Sequence, residues 1–147
     1  MSLINELKEK STKAELTKGE IIAEIKSEFD KYLNSDRFEN HLRHRIGDTE
    51  IKQRKVFMKV EFWEYHSGCS TTHFHCGGYE WYNPQYKDGW NSHTYNGIEL
   101  KDISNEICEY LSSRLTNRMN ELGFYTISKE KQNGRLGYYN THFYFGW

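Results

Sequence analysis

The chain has one proline, Pro84, in 147 residues, so rigid turns and proline-rich recognition segments play little part in it. It has three cysteines, an odd number, and a lysine-rich N-terminus with no apolar signal core. Those two features together predict a reduced, cytoplasmic protein with no disulfide framework. No run approaches the roughly 18 apolar residues that a membrane span requires, which argues against a membrane partner. The formal net charge is −1, so no global field draws in a nucleic-acid backbone, and duplex nucleic acid is not an expected partner. Also missing are a P-loop, a dinucleotide fingerprint, a nucleophile elbow and a His-Glu-x-x-His helix.

Aromatic residues are plentiful. They make up 16% of the chain and include eleven tyrosines, so the core must draw on rings where aliphatic side chains are scarce. Buried tyrosines need partners for their hydroxyls, which places many of them at boundaries or on a binding surface.

The length suits one domain, residues 1–147. Residues 1–16 are charged and weakly periodic, and read as a short helix or a frayed arm. Thr17 and Glu20 stand at capping-box spacing and predict a helix start there. Ile22, Ile25, Phe29 and Leu33 then carry one apolar stripe to 33. A second helical segment, 36–46, runs up to Gly47 as its C-cap. From Arg54 the period becomes two: Val56, Met58, Val60 and Phe62 mark the apolar face of a strand. A turn over 66–69 and a return strand over 71–76 complete a hairpin, which Gly77 and Gly78 end. Residues 79–98 read as a long aromatic loop, and 100–122 as the most regular helix in the chain, closed by Gly123. A strand over 124–130, a turn over 132–134 and a return strand over 135–147 form a second hairpin.

This order predicts an α+β fold, with two α-β-β units making one antiparallel sheet and amphipathic helices on one of its faces. Thr72-His73-Phe74 and Thr141-His142-Phe143 fall in the second strand of each hairpin, a pattern that either an internal duplication or chance would give.

Three kinds of chemistry are legible. Cys69, His73, His75 and Cys76 are all zinc-type ligands, yet His73 and His75 share one strand face and Cys76 takes the other. No second chelating pair follows, so no cofactor is expected. Were zinc present, these four residues would be its ligands. Second, His73 and His142 could act as an acid–base pair across one cleft. The tetrads that begin at these histidines resemble the paired motifs of the 2H phosphoesterases, which implies phosphodiester chemistry. Both tetrads lack that family's hydroxyl residue two places after the histidine, and Thr72 and Thr141 precede it instead.

Third, Trp81, Tyr82, Tyr86 and Trp90 supply aromatic anchors, and Arg54 and Lys55 supply cations. On this basis the expected function is a non-enzymatic binding or inhibitory module of the phage or mobile-element accessory type. Its partner would be a protein surface or a small anionic, nucleotide-like ligand, and a homo-oligomer is compatible. The alternatives are the two-histidine enzyme and a zinc-stabilised structural domain.

Overall fold

A computed structural model describes residues 2–147, except 68, 85–93, 96 and 135–137. For 62–67, 69–72 and 95 it describes the backbone alone. Helix α1 (Leu3–Leu33) is a single run of 31 residues with Ser2 as its N-cap. Residues 3–16 therefore continue the helix and are not a separate short one. Thr17 does not cap it, because its hydroxyl donates to the Lys13 carbonyl from inside the helix. The charged stretch before it is rich in Lys, Glu and Leu, which are good helix formers, and has no Gly or Pro to stop propagation.

Ser35 caps α2 (Asp36–Arg45) by accepting the Phe38 N–H. Gly47, read above as a C-cap, is the N-cap of a further short helix, α3 (Asp48–Gln53), and Glu50 Oε1 accepts its N–H. Arg54 closes α3 in the left-handed region, at φ 54°.

The strands are β1 (Lys55–Ser67), β2 (Cys69–Cys76), β3 (Tyr79–Tyr82), β4 (Thr94–Tyr95), β5 (Ile98–Glu99), β6 (Tyr125–Asn133) and β7 (Tyr139–Gly146). A 3-10 turn, Leu100–Asp102, precedes α4 (Ser104–Glu121). Five strands form an antiparallel sheet in the order β3-β2-β1-β7-β6, and β4 and β5 pair as a separate ribbon. The region expected to be a loop thus begins with a sheet strand and ends with a two-stranded ribbon. The second hairpin turns later than the expected 132–134, and its return strand begins at Tyr139. Asn133 pairs with Tyr139, and Gly134 N–H reaches the Tyr138 carbonyl.

Alternation along the strands sets the layers. Val56, Met58 and Val60 of β1, Phe74 and Cys76 of β2, and Phe143 and Phe145 of β7 are buried in one core with α1, α2 and α4. Ile21, Ile25 and Phe29 of α1 and Ile107, Leu111, Leu115 and Met119 of α4 meet them from the helix layer. Thr141 is buried in the same interface, where its Oγ1 meets Ser112 Oγ at 2.7 Å and Cys108 Sγ at 3.1 Å. Asp30 clasps the two long helices together, accepting Tyr110 Oη at 2.7 Å and Arg114 Nε at 2.9 Å. Among the described residues, no helix is long and apolar enough to cross a membrane.

Candidate functional site

Phe57, Lys59 and Glu61 of β1 and their described neighbours face away from the helices, and polar groups collect there. The strip begins at the β2–β3 turn. Gly77 and Gly78 take φ +62° and +86°, the pair of positive angles a tight hairpin turn needs. Gly77 has a second reason to be glycine, because a Cβ there would stand 2.7 Å from the Met58 methyl. The turn folds β3 back on β2 and sets Glu80 opposite His75.

His73 and His75, two residues apart, point to the same side as Glu80. His73 Nδ1 is hydrogen-bonded to Glu80 Oε2, and His75 Nε2 lies 3.9 Å from the same oxygen. The three donor atoms are all within 4.8 Å of one another, on side chains that are partly buried. Burial holds the His75 imidazole below its ordinary pKa, against the opposing pull of Glu61 and Glu80. Glu61 is the β1 residue paired with His75, and it holds Lys59 Nζ at 3.0 Å. Arg37 of α2 donates to the Glu80 carbonyl and so fixes β3 from the edge.

The strip continues across β1 onto β7 and β6. Lys59 pairs with His142, whose ring meets Phe57 edge-on at 5.4 Å. Phe57 packs on Tyr144 at 5.2 Å, and Lys55 Nζ lies 5.3 Å over the Tyr144 ring. Tyr125 and Ile127 close in over Gly146, where a Cβ would collide with both. Tyr125, Ile127 and Tyr144 are 56%, 49% and 40% exposed, which makes this end of the face apolar and open. A cleft of about 200 Å³ lies beside it, lined by Arg45, Phe57, Lys59, Gly77 and Gly78.

The residues singled out in the sequence scatter. Trp81 and Tyr82 are core residues: Trp81 is 4% exposed and packs on Phe29 and Phe74 at 4.8 and 5.3 Å. Neither presents an open ring, so as surface anchors they are corrected to packing residues that complete an aromatic core. Tyr86 and Trp90 lie outside the described residues. Lys55 belongs to the strip, whereas Arg54 is exposed and contributes its carbonyl to the Trp147 N–H.

The four-residue zinc set is not assembled. Cys76 is buried on the helix side, where desolvation pushes its thiol up to about 12. Cys69 lies four residues before His73 on one strand, a displacement of roughly 13 Å. His73 and His142 do share the open face, but they are not adjacent. His73 pairs with Trp63 and His142 with Lys59, on strands either side of β1, which separates their Cα atoms by roughly 16 Å. His142 Nε2 is buried, without a hydrogen-bond partner among the described residues.

Sequence reasoning missed Glu80, Glu61, Phe57 and Tyr144. Glu80 lies in β3, within the stretch whose composition reads as loop. A two-residue Gly-Gly turn followed by a short aromatic strand was the signal that would have found it. Comparison with protein-family models, with curated proteins and with solved structures gave no match.

Proposed function

We propose that the protein is a non-catalytic binding module whose working surface is the helix-free face of the sheet, and that its partner is an acidic protein surface. The observation that carries this is the cluster of exposed Tyr125, Ile127 and Tyr144 beside Phe57 on a regular sheet. Exposed aromatic and aliphatic side chains on a rigid frame give contact area at low entropic cost. Lys55 at the edge of the patch and Arg45 in the adjoining cleft set a positive rim that suits acidic groups. An inhibitory role is the case in which the covered surface is the partner's own working site.

A two-histidine enzyme is less well supported, because His142 Nε2 is buried and the residue lies far from His73 in the register.

The test compares wild type with Tyr125→Ala and Tyr144→Ala, immobilised and exposed to extract from the native host. Truncating a true anchor typically costs about 2–4 kcal/mol. A partner recovered by wild type should therefore be lost, or weakened tens- to hundreds-fold, with either variant, while far-UV circular dichroism stays unchanged. Recovery that is equal for all three proteins overturns the reading. Sedimentation showing a dimer that Tyr144→Ala dissolves would overturn the acidic partner in favour of a second copy.

A further inference from the structure

The geometry points to a divalent transition-metal site of the zinc class at His73, His75 and Glu80, on the β2–β3 hairpin. It is independent of the docking surface proposed above, since its three ligands are none of the residues that form that patch or line its cleft.

The donor set is the first reason. Two imidazoles and one carboxylate are ligands that zinc, and iron or cobalt in the divalent state, accept readily. The second is distance. Nitrogen and oxygen ligands bind zinc at about 2.0–2.2 Å, which places two ligands of one tetrahedral ion about 3.4 Å apart. His75 Nε2 and Glu80 Oε2 are already 3.9 Å apart, and all three donor atoms lie within 4.8 Å of one another. Small side-chain rotations would close that gap and move the hydrogen-bonded His73–Glu80 pair apart to the same spacing.

Rigidity is the third. His73 and His75 are held by strand pairing to β1, and Glu80 by pairing to His75 and by Arg37 on its carbonyl. The ligand backbone is thus built before any ion arrives. The nearby Glu61 carboxylate, opposite His75, adds negative charge beside the site without being one of the ligands.

An ion here would replace the His73–Glu80 hydrogen bond with two metal bonds and would tie β3 to β2. Three protein ligands leave one tetrahedral position facing solvent, since His73 and His75 are about a fifth exposed and Glu80 more. The site would therefore hold a water or an exogenous donor in its fourth position. Cys76, buried on the helix side, takes no part.

The experiment uses untagged full-length protein, stripped with chelator and titrated with zinc chloride by calorimetry, with cobalt(II) as the spectroscopic probe. The expected result is one ion per chain, a visible cobalt spectrum of a low-coordinate site, and a higher thermal midpoint with zinc. His73→Ala, His75→Ala and Glu80→Gln should each weaken binding at least tenfold and abolish the zinc-dependent shift, while Cys69→Ser should leave all three readouts unchanged. Far-UV circular dichroism of the metal-free variants verifies their fold, and Glu80→Gln, the most conservative change, keeps the test decisive where an alanine variant unfolds. Failure of the wild type to take up an ion overturns the proposal. So does uptake that survives Glu80→Gln and His75→Ala, or uptake that Cys69→Ser removes.

Discussion

Cys76 illustrates how one buried group reports on the whole domain. The residue is 1% exposed, and burial raises its pKa from the ordinary value of about 9 to about 12. At pH 8 the native thiol stays protonated, and the thiolate is the species that reacts. Alkylation of Cys76, followed by peptide mass spectrometry, should therefore be negligible in the native state and complete in urea. The same shift fixes a sign for stability. Below about pH 9 the thiol is protonated whether folded or not, and the contribution is constant. Between about 9 and 12 the unfolded chain loses the proton while the folded chain keeps it, so stability falls as pH rises. Urea midpoints measured across that window should decline in wild type, and by less in Cys76→Ala once the constant loss of packing is subtracted. Rapid native labelling would mean that β2 is not packed against the helices.

At the scale of elements, α1 shows where sequence and structure part. Residues 2–16 are exposed along their whole length, and burial begins with Ile21. Thr17 and Glu20 carry the pattern of a helix start, yet the helix runs through them, because nothing before Thr17 breaks it. The pattern should regain its meaning when the preceding turns are removed. In a chain beginning at residue 16, Thr17 becomes the N-cap, and Thr17→Ala should cost about 1 kcal/mol. In the full chain the hydroxyl only back-bonds to Lys13, and the same substitution should be neutral within about 0.5 kcal/mol. Thermal unfolding of the four proteins separates the two outcomes, and equal costs in both chains would refute the argument.

Other elements were legible for a plain reason. The apolar stripes of α1 and α4 and the alternation in β1 and β7 reflect one-sided burial, which sequence period reports directly. Strand β3 was not legible, because four residues give too few repeats to establish a period, and Trp81 and Tyr82 are both buried within it. The site depended on that strand. His73 and His75 could be placed on one face from their spacing, but the partner they share, Glu80, arrives only through the Gly77–Gly78 turn.

For the whole molecule, the sheet separates stability from recognition. One core, shared by α1, α2, α4 and strands β1, β2, β3 and β7, lies on one side, and His73, His75, Glu80, Phe57 and Tyr144 lie on the other. Substitutions on the two sides should therefore fail in different ways. Ile107 has no exposure and sits at the α4–sheet interface, so Ile107→Asp puts an unpaired charge into the shared core. The cost should be several kcal/mol, on the order of 3–5, a large fraction of a typical domain's stability. Tyr144→Ala removes a ring that is 40% exposed and packed chiefly on Phe57, so it should cost about 1 kcal/mol or less. Urea titrations followed by far-UV circular dichroism and by tryptophan fluorescence should give coincident midpoints in each protein, as a single core requires. The Ile107→Asp midpoint should lie far below wild type and the Tyr144→Ala midpoint close to it. If Tyr144→Ala unfolded as readily as Ile107→Asp, the open face would be part of what holds the domain together, and Tyr144 could no longer be read as a residue kept for a partner.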